Sequence, residues 1–156
     1  MSAPDQTSAT AAMTAAGLDH LVTRHGRVDS LEEAAAARGL PPGAIIKTIV
    51  VRRGAEDYLF VLVPGDRAIS WPKLRAVLGV NRLSLPDAAT AKDVTGYERG
   101  TITPFGASRT WPVVADSRVR GTVSIGAGAH GVAATVDAAA LVQALGAQVA
   151  DVTDPA

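Results

Sequence analysis

The chain has no cysteine, which excludes a disulfide framework, a thiolate nucleophile and a thiolate metal site. An excess of charge of either sign is also missing: Lys and Arg number 15, Asp and Glu number 15, and the formal net charge is zero. A nucleic-acid coating protein needs a global positive field, so any contact with nucleic acid here is local. Long hydrophobic runs are absent, because Gly, Pro or a charge interrupts each one before the roughly 18 residues that suggest a membrane span. The opening "MSAPDQTSATAA" lacks the basic start and apolar core of a signal peptide and reads as a flexible arm over residues 1–12. These absences lead to the expectation of a soluble, cytoplasmic protein with no membrane partner.

The chemistry of common active sites is equally sparse. The three histidines, His20, His25 and His130, show no ligand spacing such as HExxH, and no metal or other cofactor is expected. There is no GxSxG elbow and no Walker lysine motif. Whatever reaction occurs uses few side chains.

What is present is enough for one core. With 156 residues, 47% of them hydrophobic, the chain fits a single domain over residues 13–156. A helix is expected in the Ala-rich segment up to Gly17 and a strand over Leu18 to His25. Ser30 with Glu33 makes a capping box for a helix closed by Gly39. Ile45 to Arg53 and Tyr58 to Val63 form a hairpin around "GAED", and Ser70 caps a helix with Pro72 in its first turn. The stretch from Gly79 to Gly106 reads as loop-rich. "WPVVAD", "GTVSIGAG" and "GVAATVD" read as strands, and Asp137 caps a final helix. The fold class is α+β, a mixed, mainly antiparallel sheet with helices around it.

Three segments carry candidate chemistry. In "IIKTIVV", Lys47 shares a strand face with Ile45, Ile49 and Val51 while Ile46, Thr48 and Val50 face the other way. A cation in such a strand either needs a partner or lies near the strand end and snorkels to water, and both readings stand. The loop "GYERGTITPFG", Gly96 to Gly106, exposes backbone groups and permits close approach of a ligand, or else is a plain connection with two turns. The hairpin "IGAGAHG" lacks the helix that a dinucleotide-binding turn requires. His130 within it is either a general base or an exposed turn residue, with no carboxylate near it in sequence.

In this order and at these separations, "IIKTIVV", "VTGYERGTITPFG", "WPVVAD" and "VSIGAGAHG" resemble the YbaK/EbsC family, the aminoacyl-tRNA deacylase domain also found inserted in bacterial prolyl-tRNA synthetases. The resemblance runs from about Leu18 to Val152 and implies a mainly antiparallel curved sheet. It implies hydrolysis of the ester joining a wrongly attached small amino acid to the 3′-terminal adenosine of a tRNA. By the same resemblance Lys47 and Gly100 are the catalytic candidates. Gly96, Tyr97, Ile102, Thr103, Pro104 and Gly106 belong to the loop that lines the pocket; Thr48, Gly126 and Gly128 form the opposite wall. Members resembling the cysteinyl-tRNA deacylase carry a serine and an aspartate where this chain has Gly126 and Ala133, which leaves the amino acid unassigned.

The partners implied are the 3′ end of an aminoacyl-tRNA and an aminoacyl-tRNA synthetase. Arg67, Lys73, Arg75 and Arg82, in a stretch with no acidic residue between them, are the candidate tRNA contacts. Their alternative is a solvated helix face. At the level of function two readings compete: a trans-editing deacylase, and a non-catalytic module that binds an aminoacyl-adenosine-like ligand or a synthetase.

Overall fold

The computed structural model describes residues 7 to 156; residues 1–6 of the expected arm lie outside the described residues. Residues 8–12 of that arm are helical. Helix α1 spans Ser8–Ala15, because the Thr7 hydroxyl accepts from the Thr10 amide while the Thr10 hydroxyl accepts from the Thr7 amide, a reciprocal cap. Ala9 and Met13 are fully buried. The small residues that suggested fraying are what let this helix lie close against its neighbours.

Three ladders make up the sheets. Strand β1 (Leu21–Arg24) pairs with β7 (Val132–Asp137), which pairs with β6 (Thr122–Gly126), all antiparallel. Strand β2 (Ile46–Gly54) pairs antiparallel with β3 (Asp57–Pro64); β3 then runs parallel to β5 (Val113–Asp116), and β5 parallel to β8 (Gln148–Ala150). A short antiparallel ladder joins β4 (Arg67–Ile69) to β9 (Thr153–Pro155). One isolated parallel bridge, Ile45 to Ser124, stitches the first two ladders together. The architecture is therefore mixed and mainly antiparallel, as expected, with the parallel pairs supplied by chain crossovers.

Strand β3 is buried along nearly its whole length. Tyr58, Phe60 and Leu62 point into the larger core cluster, and Leu59, Val61 and Val63 into a second cluster on the other face. Alternation on β2 follows the same two faces: Ile46 and Val50 join the larger cluster, and Ile49 and Val51 the smaller.

The helices surround these ladders. Helix α2 (Leu31–Arg38) starts on Ser30, whose hydroxyl accepts from the Glu33 amide, while Glu33 reaches back to the Asp29 amide, one residue earlier than the expected box. Helix α3 (Trp71–Leu78) is capped by Ser70 and α5 (Ala138–Leu145) by Asp137, both as expected. Helix α4 (Ala88–Thr95) lies in the stretch expected to be loop. Its caps, Asp87 and Gly96, do the work that large apolar residues do elsewhere; only Ala91, Val94 and Thr95 are buried.

Candidate functional site

The glycine-rich loop after α4 is held from inside by Tyr97. Its ring is buried, and its hydroxyl donates to the Phe105 carbonyl at 2.7 Å, closing the loop on itself, and lies 3.0 Å from the Ser8 hydroxyl of α1. Burial pushes the Tyr97 phenol above its usual range. Two expected site glycines serve this packing. A Cβ on Gly106 would fall 2.6 Å from the Ser8 carbonyl oxygen and 2.7 Å from the Tyr97 hydroxyl, and one on Gly128 2.9 Å from the Tyr97 ring. Gly96 is the left-handed C-cap of α4. Tyr97, Gly96, Gly106 and Gly128 thus shape the loop as a scaffold.

The centre of the loop behaves differently. Ile102 and Phe105 pack on the larger core cluster, and a Cβ on Gly126 would meet the Ile102 carbonyl oxygen at 3.4 Å, so the loop and the β6 hairpin are in close contact. Thr103 is fully buried with no partner for its hydroxyl, and the Thr48 hydroxyl is likewise buried and unpartnered. Among the described residues these are the two buried side-chain polar atoms left without a hydrogen bond. Each such group costs about 1–3 kcal/mol. Pleating places Thr48 with Ile46 and Val50, on the side of the sheet where the loop packs.

Lys47 faces the other way. Its ammonium donates to the Arg67 carbonyl at 2.7 Å, on the side of Ile49 and Val51. The residue is exposed, yet partial burial of the ammonium against the chain pulls its pKa below the usual lysine value, opposed by the nearby Asp66 carboxylate. Lys47 therefore lies on the opposite face of β2 from Thr48.

Gly100 lines a cavity of about 440 Å³ with His25, Gly26, Arg27, Val28, Arg38, His130 and Gly131. Arg38, the last residue of α2, is half-buried; its guanidinium donates to His25 Nε2 at 3.4 Å and to the buried Ser124 hydroxyl at 3.3 Å. Desolvation lowers its pKa. At the rim His130 Nε2 lies 3.1 Å from a Glu98 carboxylate oxygen, a partner 32 residues away that sequence proximity could not reveal. His130 first and Lys92 next hold Glu98 below the usual carboxylate range. Arg38 and His25 were missed; the only signal was a cation closing an otherwise alanine-rich helix.

The four expected RNA-contacting cations separate. Arg67 is bound to the Thr153 hydroxyl and carbonyl, and Lys73 to Asp151, Asp154 and the Thr153 carbonyl, so both brace the C-terminal segment. Arg75 and Arg82 instead line a cleft of about 570 Å³ with Arg52 and Arg53. Among the described residues no cluster of three or more His, Cys, Asp or Glu suited to a metal ion exists, and no helix is long and apolar enough to cross a membrane.

A family model for the aminoacyl-tRNA editing domain matches residues 25–149. Proline--tRNA ligases are among the relatives: that of Desulforamulus reducens is 36% identical over 99 residues, 64% of this chain and 17% of the ligase. That of Pelotomaculum thermopropionicum is 36% identical over 101 residues, 65% of this chain and 17% of the ligase. The chain spans under a fifth of the length of such relatives. The crystal structure of hypothetical protein APE2540 superposes with a TM-score of 0.85 at 26% identity, covering 95% of this chain and all of that one. A crystal structure of a candidate trans-editing enzyme for prolyl tRNA synthetase gives 0.86 at 23% identity, covering 99% of both chains, and shows the shared fold. By the span of the family match, the chain belongs to the aminoacyl-tRNA editing domain family.

Proposed function

We propose that the protein is a trans-editing deacylase that hydrolyses the ester between a small, wrongly attached amino acid and the 3′-terminal adenosine of a tRNA. The observation that carries this reading is the pair of buried, unpartnered hydroxyls, Thr48 and Thr103. They come from the two segments, strand and loop, that the family resemblance singles out, and a buried hydroxyl without a partner in a native fold calls for a reason, which a bound substrate would supply here.

The chemistry suits the sparse side chains. An aminoacyl ester is activated, so water adds to its carbonyl carbon, the tetrahedral oxyanion takes hydrogen bonds, and the bond to the ribose oxygen breaks to release amino acid and a free ribose hydroxyl. Positioning of that water and preorganised donors from the Gly100, Ile102 and Thr103 amides and the two threonine hydroxyls supply the rate enhancement. Lys47 enters only if a substrate oxygen displaces the Arg67 carbonyl from its ammonium. It then serves as a binding cation at the pocket edge.

The test is a panel of mischarged tRNAs incubated with wild type, Lys47→Ala and Thr103→Val. Loss of amino acid from at least one tRNA faster than in buffer, slowed in Thr103→Val, is expected. If no tRNA in the panel is deacylated while wild type still binds an aminoacyl-adenosine analogue, the protein is a non-catalytic binding module instead. Full activity in Lys47→Ala would remove the lysine from the mechanism.

A further inference from the structure

Arg38 presents a charge that the fold does not balance. It is half-buried, and both of its hydrogen bonds go to neutral acceptors, the Ser124 hydroxyl and His25 Nε2. No carboxylate pairs with it among the described residues; the acids near the cavity are engaged elsewhere, Glu98 by His130 and Lys92, and Asp29 by Arg27. His25 Nδ1 lies 2.8 Å from the Gly26 carbonyl, so it donates there, leaving Nε2 as the lone-pair acceptor for Arg38. Buried cations without partners are rare because desolvation is costly, and a guanidinium fork matches the oxygens of a tetrahedral anion.

The surroundings favour such an anion. Arg27, paired with Asp29, and His130, paired with Glu98, line the same cavity, while Gly26, Gly100 and Gly131 let a ligand approach the backbone closely. Gly131 is itself fixed in place, since a Cβ there would lie 2.4 Å from the His25 carbonyl oxygen. The volume, about 440 Å³, holds a phosphate together with the groups attached to it.

We propose that the Arg38 cavity is a phosphate-binding site. On the deacylase reading, with which this inference is linked, its occupant is the phosphodiester preceding the 3′-terminal nucleoside of the RNA; the other source of the same chemistry is a free phosphate.

The test follows the backbone amides of Gly26, Gly100 and Gly131 by NMR while wild-type protein is titrated with the trinucleotide CCA, with CCA carrying a neutral methylphosphonate at its last linkage, and with inorganic phosphate. Saturable shifts with CCA are expected, weakened about tenfold to a hundredfold by Arg38→Gln, as for loss of a charge-assisted hydrogen bond. The methylphosphonate should weaken binding similarly and abolish the dependence on Arg38. If inorganic phosphate saturates the same signals, depends on Arg38 and the methylphosphonate binds like CCA, the site stands and a free phosphate is its occupant. Arg38→Lys, which keeps a charge without the fork, should fall between the two proteins and serves if Arg38→Gln does not fold. Unshifted amides with both CCA and phosphate, or equal binding by wild type and Arg38→Gln, would overturn the proposal. Binding of CCA without deacylation of any tRNA would sink the enzyme reading and leave the phosphate site intact; deacylation with no Arg38 dependence of binding would do the reverse.

Discussion

Gly100→Ala separates backbone strain from pocket chemistry. Gly100 has φ of +89°, and an added Cβ would meet nothing within 4 Å, so the folded state pays only the left-handed penalty of an L-residue, about 1–2 kcal/mol. For a domain of this size each kcal/mol lowers Tm by roughly 2–4 °C, so a fall of about 2–8 °C is expected. The open space into which the methyl projects lies at the wall of the cavity. Gly121→Ala is the matched control: φ is +67°, nothing lies within 4 Å, and the residue sits in the turn before β6, outside that wall. Both proteins are compared by thermal denaturation and by deacylation of whichever mischarged tRNA wild type accepts. Similar losses of Tm are expected, with at least about a tenfold loss of kcat/KM in Gly100→Ala alone, equivalent to about 1.4 kcal/mol of transition-state stabilisation. Equal activity in the two variants would show that Gly100 is only a turn residue.

Other outcomes follow from neighbouring features. Thr103→Val removes a buried hydroxyl without a partner, so Tm should rise by about 2–8 °C if the relief is about 1–2 kcal/mol, while turnover falls; a drop in Tm would mean that the hydroxyl is satisfied in solution. Asp116 is fully buried and accepts from the Val152 and Arg118 amides at 3.0 Å. Asp116→Ala strands these donors and should lower Tm by about 10 °C, and a loss under 3 °C would refute the clamp. Arg118 first, and Lys73 after it, hold Asp151 below its ordinary value of 3.8. Its stabilising contribution is therefore present above that value and fades as pH falls through the lower folded-state pKa, so the acid decline in Tm should be shallower in Arg118→Gln than in wild type. An unchanged decline would dismiss the Arg118–Asp151 pair as its source.

Much of the fold is written in local signals. The hairpin of β2 and β3 follows from two β-branched runs around a short turn, and Ser70 and Asp137 announce their helices through hydroxyl and carboxylate caps. Helix α4 was hidden because "AATAKDVT" buries small side chains, so apolar periodicity is weak even though Asp87 and Gly96 bracket it. The parallel pairing of β3, β5 and β8 depends on crossovers that no local pattern encodes.

The site divides along the same line. The loop and the strand were legible as motifs, but whether a motif residue touches ligand or scaffold depends on partners distant in sequence. Tyr97 is committed to Phe105 and Ser8, and Lys73 to Asp151 and Asp154. The facing of Lys47 away from the loop is a matter of strand parity. Arg38 gains meaning only when Ser124, 86 residues on, is found beside it.

The lone bridge between Ile45 and Ser124 has a mechanical consequence. Ladders on either side are laced by repeated hydrogen bonds, whereas among the described residues this seam has one backbone bridge and is otherwise held by side-chain packing of Ile46 and Val50 with Val123 and Ile125. Ser124 sits on the seam and also receives the Arg38 guanidinium. A ligand that engages Arg38 therefore acts on the same residue through which the two ladders are joined.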